Sequence, residues 1–316
     1  MSAAIQDALR TVKTLPRYPV YVPSKGRADS CFTSKCLTKD GVPHYLVVNE
    51  SEAAAYEVFA SEFCTILTLP VDASNEAVAK GEGLIFSRNW IRDHAEAAGF
   101  ARHWQIDDNV RHFRRWIKDR RLPCRAGIAL RACEDFSDRY TNVAISGLNY
   151  TMFAVQTSPP FYLNVHVYSI SLINHAMPFR WRLRYNDDTD ICLQALANGW
   201  TTVLFNAFIA DKIATMVTSG GNTDQLYQGD GRLKMARDLE RMWPGVVTTK
   251  RRFQRPQHCI KNSWRNFDTP LIRVADYDEV VASQGDWKAK MKLKQVKPTK
   301  SGRLREFVDQ TRKEIR

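Results

Sequence analysis

The sequence predicts an α/β fold with a mostly parallel central sheet wrapped by helices. Short apolar, β-branched runs alternate with helix-length segments from residue 19 to residue 106. The connections between them are short, as in βα units. Polar or acidic loops close the strands at their carboxyl ends, where such sheets collect ligands.

Pro19–Val22 reads as the first strand and runs into Pro23-Ser24-Lys25-Gly26-Arg27. The pattern predicts a helix near Cys31–Thr38, a strand over His44–Val48 and a helix from Ser51 to Phe59, with Ser51 as its N-cap. Cys64–Leu69 is a third strand, closed by Pro70. Gly83–Gly99 has helical periodicity through Ile85, Trp90 and Ile91, and His103–Ile106 is a strand stopped by Asp107-Asp108-Asn109. The second half is less regular. Helices are expected over Ala126–Phe136, over Thr189–Asn198 with Gly199 as its C′ residue, and over Gly231–Met242. Strands are expected over Val143–Ser146, Asn164–Ile173 and Thr202–Phe208. The domain is expected to cover 1–275, with one half over about 15–125 and the other over about 126–275, followed by a basic extension over 276–316.

Composition excludes several classes. The chain has 316 residues and 44% hydrophobic residues, too many for a disordered chain. Seven cysteines are sparse and odd in number, without a C-x-x-C pair, which argues against a disulfide scaffold or a structural zinc site. No run approaches the roughly 18 to 20 apolar residues of a spanning helix. Met1–Arg17 lacks the apolar core of a signal peptide. A soluble protein of a reducing cytoplasm, with no membrane partner, is therefore expected.

Lys and Arg total 46 against 34 Asp and Glu, a formal charge of +12. The excess is clustered. Arg111, Arg114, Arg115, Lys118, Arg120, Arg121 and Arg125 interleave with His112, Phe113 and Trp116. Eight further cations between Lys288 and Arg305 meet no acid. Basic groups beside stacking residues suit a phosphate backbone, while a plain solvated face remains the alternative.

Two acidic motifs carry the candidate chemistry. Two adjacent carboxylates at a strand end, Asp107-Asp108-Asn109, either bind a hard divalent ion or form a turn and helix cap. Asn186-Asp187-Asp188-Thr189-Asp190 opens a helix with more carboxylates than capping needs, so one would serve as a general base. Ser24-Lys25-Gly26-Arg27 suits a nucleotide phosphate but lacks P-loop spacing, and no G-x-G-x-x-G lies near it. Ser219-Gly220-Gly221-Asn222-Thr223 reads as a loop, either closing over substrate or an ordinary turn.

These pieces, in this order, resemble the GT-A glycosyltransferase superfamily. More narrowly, they resemble the TET-associated glycosyltransferases of bacteriophages, which are related to a domain of eukaryotic GREB-type proteins. The matching stretches are Val22–Arg27, Ser87-Arg88-Asn89-Trp90, Ile106–Asn109, Gly147-Leu148-Asn149-Tyr150, Arg184–Asp190, Gly220–Asn222 and Arg255-Pro256-Gln257-His258. The resemblance implies a GT-A-like, Rossmann-type α/β/α sandwich. It implies inverting, metal-dependent transfer of a sugar from a UDP-sugar to 5-hydroxymethylcytosine in DNA, in the cytoplasm of an infected bacterium. Pro23, Ser24, Lys25, Arg27, Arg88, Asn89, Asp107 and Asp108 would bind the donor. Asp108, Asn109 and His258 would hold Mn²⁺ or Mg²⁺. Asp188, with Asp187 as the alternative, would be the base, and Asn149, Tyr150, Gly221 and Asn222 would shape the acceptor side. The competing readings are a glycosyltransferase for a protein or small-molecule hydroxyl, and a non-catalytic DNA-binding module on a degenerate GT-A fold.

Overall fold

The computed structural model describes residues 13–284, apart from 118–119, 156–157, 214–230, 253–254 and 265. The expected loop at 219–223 and the basic segment 288–305 lie outside the described residues. The first four strands, β1 (Val20–Pro23), β2 (His44–Val48), β3 (Cys64–Thr68) and β4 (Arg102–Ile106), are parallel and stand in the order β3-β2-β1-β4. The sheet then continues through β9 (Ile170–Asn174), β7 (Val143–Tyr150), β10 (Thr201–Lys212), β5 (Val110–Ile117) and β6 (Arg120–Cys124), with β8 (Phe161–Leu163) also on β10. Strand β9 lies antiparallel between β4 and β7, which restores the parallel direction to β7 and β10. Seven described strands (β1–β4, β6, β7 and β10) run one way, and three (β5, β8 and β9) the other. The mostly parallel α/β sheet expected from the sequence is present.

Alternation along the strands explains the layering. Val20, Val22, Leu46, Val48, Trp104 and Ile106 pack on one face, against Leu37 of α1 (Phe32–Lys39) and against Leu130, Cys133 and Phe136 of α5 (Ala126–Ser137). Tyr21 and Val47, one residue out of step, pack on the other face with Ile91 and Ala95 of α4 (Gly83–Ala97). Both faces of a strand are thus buried, as a parallel sheet between helices requires. Residues Glu50–Phe59 form a broken series of 3₁₀ turns around the short α2 (Ala53–Tyr56), rather than one helix.

Four features escaped the sequence pattern. Helix α3 (Val71–Ala79) follows β3 directly. The basic cluster is the β5–β6 hairpin. Of the single strand expected over Asn164–Ile173, only Ile170–Ile173 is strand, as part of β9, and residues 164–169 are the loop between β8 and β9. After α6 (Asp187–Ala197) and α7 (Gly231–Met242), the hairpin of β11 (Val247–Arg252) and β12 (Arg255–Ile260) carries His258. The expected extension begins as α8 (Tyr277–Ser283), and Arg139 Nε donates to Gln284 Oε1 at 2.7 Å.

Glu134 of α5 fixes the entry to the sheet. Its carboxylate accepts the backbone N–H of Arg17 at 2.7 Å, that of Tyr18 at 3.2 Å and Trp104 Nε1 at 2.8 Å. Burial pushes this carboxyl up to about 7 despite those donors. Between about 4.5 and about 7 the folded chain holds a proton that the unfolded chain has released, so stability falls as pH rises through that window. Thermal unfolding across that range should show the decline, and Glu134→Gln should flatten it; an unchanged profile in the variant would remove Glu134 as its source. Gly147 in β7 allows a close crossing, because a Cβ there would stand 2.1 Å from the Ile170 carbonyl oxygen and 2.6 Å from Val167 Cγ1. Gly147→Ala should cost about 1–3 kcal/mol or more in denaturant unfolding, as overpacking does.

Candidate active site

The carboxyl ends of β1 and β4 meet. Ser24, just past β1, donates from Oγ to Asp108 Oδ2 at 2.7 Å, and Arg27 Nη1 lies 2.6 Å from Asp108 Oδ1. Tyr56 holds this loop: its hydroxyl contacts Ser24 Oγ at 2.8 Å and accepts the Arg27 N–H at 2.9 Å. Burial leaves the Asp108 carboxyl above its usual range, although Arg27 and Ser24 act against that. Pro23 ends β1, and Lys25 is exposed.

Asp107 points away from this cluster. Lys212 Nζ, at the end of β10, lies 2.9 Å from Asp107 Oδ2, 2.6 Å from Ser169 Oγ and 3.3 Å from the Tyr150 hydroxyl. Arg88 Nη2 reaches Asp107 Oδ1 at 3.2 Å, and Arg88 Nη1 reaches Gln105 Oε1 at 3.2 Å. Burial disfavours the Asp107 charge, but Lys212 and Arg88 outweigh it and hold the carboxyl below its usual range. Burial likewise opposes the Lys212 charge, and Asp107 and Tyr150 overcome it and raise the ammonium.

The second acidic motif enters from α6. Asn186 has φ 55°, a left-handed turn that Asn tolerates, and its side-chain amide donates to the Met235 carbonyl at 3.0 Å. The turn separates the three acids that follow. Asp190 faces Arg182 and accepts Trp243 Nε1 at 2.7 Å, so it is a packing residue. Asp187 Oδ2 lies 2.7 Å from Arg88 Nε, yet the contact is too bent for a hydrogen bond, and both atoms are buried without a hydrogen-bond partner. Asp188 Oδ2 lies 3.1 Å from His166 Nε2, and its Oδ1 accepts the Thr189 N–H at 2.7 Å.

The two neighbouring carboxyls diverge. Burial raises Asp187, and Asp188 and Asp107 add to it against Arg88. Burial also opposes ionisation of Asp188, but His166, His258 and the Thr189 N–H outweigh it and hold that carboxyl low. Asp188 is therefore the more readily ionised carboxyl of the pair, and its side chain is about a third exposed (32%) against 13% for Asp187. His258 Nε2 closes the cluster at 3.4 Å from Thr189 Oγ1.

Aromatic rings line the side of Asp188. Tyr168 stacks on Tyr150 with ring centres 4.9 Å apart, lies 4.4 Å from the His166 ring and 5.6 Å from Phe153. His166 is in turn 6.2 Å from Trp264.

A family model described as TET-Associated Glycosyltransferase matches residues 18–221, more than half of the chain and all of this site except His258 and Trp264. The chain belongs to that family. No curated protein and no solved structure gives a significant match. No helix of the described residues is long and apolar enough to cross a membrane.

Within this glycosyltransferase, the sequence-predicted residues separate into those that meet and those that do not. Ser24, Arg27, Arg88, Asp107, Asp108, Asp187 and Asp188 form one connected chain of contacts, joined through the adjacency of Asp107 with Asp108 and of Asp187 with Asp188. Asn89 does not face that chain: its amide donates to the Trp181 carbonyl at 2.9 Å and accepts the Trp181 N–H at 3.1 Å, a clamp on backbone. Asn149 is a correction of the same kind, since it is buried and donates to Asn206 Oδ1 at 2.8 Å inside the sheet. Tyr150 is at the site, beside Lys212. Gly221 and Asn222 lie outside the described residues.

The predicted metal ligands do not form one donor set. Arg27 and Ser24 occupy both Asp108 oxygens, while a Mg²⁺ ion needs such lone pairs at about 2.1 Å. His258 contacts the Asp188 cluster instead of Asp108. Asn109 Oδ1 is buried without a hydrogen-bond partner. No group of three or more His, Cys, Asp or Glu among the described residues is placed to hold an ion. Arg27, Arg88 and Lys212 meet Asp108 and Asp107, and the residues as folded do not fit a divalent ion.

Sequence reasoning missed Lys212, His166, Tyr168 and Tyr56. Lys212 had a signal, because Asp211-Lys212 ends an apolar strand just as Asp107-Asp108 does. His166 and Tyr168 alternate with Val165 and Val167 in a segment read as an ordinary strand.

Arg88, itself buried, meets two part-buried carboxylates at once. Arg88→Ala should therefore destabilise the fold by about 3–5 kcal/mol, the cost of leaving buried charge unpaired. Adding Asp187→Asn should recover part of that loss in a double-mutant unfolding cycle. Strict additivity of the two changes would show that the pair carries no coupling.

Proposed function

We propose that this glycosyltransferase moves a sugar from a UDP-sugar to the hydroxymethyl oxygen of 5-hydroxymethylcytosine in DNA, with inversion at the anomeric carbon. The observation that carries the reading is the division of charge along one connected site. Arg27, Arg88 and Lys212 gather at the strand ends, and the ionised Asp188 stands at the other end beside His166.

Each group then has a task. The Ser24–Arg27 loop holds the nucleotide diphosphate, with Tyr56 keeping Arg27 in place. Asp188 accepts the proton of the acceptor hydroxyl as its oxygen attacks the anomeric carbon. The bond from that carbon to the diphosphate oxygen breaks, and its electron pair leaves with the diphosphate. Lys212 and the arginines meet the charge that develops there. His166 orients Asp188 and shares the proton it has taken. The aromatic row beside His166 borders the acceptor side and offers a planar face to a base. No step runs through a divalent ion, because Arg27 and Ser24 already meet Asp108 and His258 lies with Asp188 instead.

The reading is tested by mass spectrometry of nucleosides from hydroxymethylcytosine-containing DNA after incubation with the protein and a panel of UDP-sugars. A hexose or N-acetylhexosamine mass gain on that nucleoside is expected. UDP release without the gain would move the acceptor to another hydroxyl, and neither product nor UDP release would leave a binding module. Asp188→Asn should remove transfer, by about a hundredfold or more on the scale of general-base catalysis, while calorimetry still detects UDP binding. Turnover should survive exhaustive chelation; activity lost to a chelator and restored by Mn²⁺ would return the ion to the site.

A further inference from the structure

A second feature adjoins the site without taking part in it. An open groove of about 820 Å³ runs between α1 and the β5–β6 hairpin. Lys35, Lys39, Arg111, Arg114 and Arg125 line it, against a single acid, Asp40. That acid is engaged, since Asp40 Oδ2 accepts the Ala126 N–H at 2.7 Å. Arg114 is paired with Asp211 at 2.5 Å. Lys35, Lys39 and Arg111 are exposed and, among the described residues, form no ion pair with a carboxylate. The Arg111 guanidinium lies 4.9 Å from the centre of the Phe32 ring, which holds it over the groove floor.

The arrangement of these charges selects the kind of anion. Lys35 and Lys39 are one turn apart on the same helix face, about 6 Å along the axis. A single small anion draws its cations to one point, whereas these are strung along a helix and an adjacent strand. The groove lies one residue from contacts to the active-site loop. Thr33 at the start of α1 donates its N–H to the Asp108 carbonyl at 3.1 Å, and its Oγ1 accepts the Val110 N–H at 2.9 Å. Phe32 and Arg111 are the next residues out from that junction.

We infer that the groove between α1 and the β5–β6 hairpin is a track for the phosphodiester backbone of the acceptor, holding one nucleic-acid strand alongside the site on its Asp108 side. The inference rests on DNA as the acceptor. Each cation that neutralises a phosphate there releases a counterion, so the track is read by salt dependence.

The test is fluorescence anisotropy of the full chain with a labelled hydroxymethylcytosine duplex over a range of salt concentrations. Lys35→Ala, Lys39→Ala and Arg111→Ala are combined in one variant. Lys234→Ala, Arg237→Ala and Arg241→Ala on α7 are combined in a second, which removes the same formal charge from another face. The groove variant should show a slope of log affinity against log salt shallower by about 2 to 3, at about 0.9 per phosphate contact. The α7 variant should keep the wild-type slope, and UDP release from the donor without acceptor should be equal in all three proteins. Equal slopes in both variants would overturn the track while leaving DNA as the acceptor. Wild-type protein that cleaves donor but binds no DNA at any salt would overturn the acceptor reading and the track with it.

Discussion

The site depends on one buried guanidinium. Arg88, on a helix packed behind the sheet, bridges Asp107 at the end of β4 and Asp187 at the start of α6. Without it, Asp107, Asp187 and Asp188 would repel one another in a poorly solvated place. With it, the sheet edge and the later helix share one electrostatic unit, and Lys212 completes the balance from β10. The left-handed turn at Asn186 serves the same end, because it aims Asp187 inward and leaves Asp188 beside His166.

That arrangement divides two adjacent acids into different states. Asp187 is surrounded by burial and other carboxylates, and its charge rests on Arg88 alone among its close partners. Asp188 has an imidazole and a backbone N–H. One residue of register therefore separates a carboxyl raised by burial from one held low by an imidazole and a backbone N–H. The same logic separates Asp107, which meets Lys212, from Asp108, which meets Arg27 and Ser24.

Much of the fold was legible because its signals are local. The strand His44–Val48 emerged with the bounds its β-branched run set, and Gly199 ends α6 at φ 78° as its C′ residue. The hairpins β5–β6 and β11–β12 were not legible, because charged residues on their exposed faces hide the alternation. The run Asn164–Ile173 looked like one strand because Val165, Val167, Ile170, Leu172 and Ile173 recur along it at near-alternate positions. Only packing shows that Tyr168 and His166 leave the sheet to face Tyr150 and Asp188.

The sequence by itself determined where the acids and the nucleotide-type loop would stand: at the carboxyl ends of strands in an α/β sheet, in the order of a glycosyltransferase family. Backbone periodicity and turn chemistry are properties of neighbours along the chain, so they are readable there. Tertiary structure decided who neutralises whom. Asp107 and Lys212 are 105 residues apart, and Ser24 and Asp108 are 84 apart. Asn89 and Asn149 carry polar ends that suit a ligand, yet folding gives those ends to Trp181 and Asn206. Charge pairing and hydrogen bonding depend on distance through space and on exclusion of water, and neither quantity exists until the chain has packed.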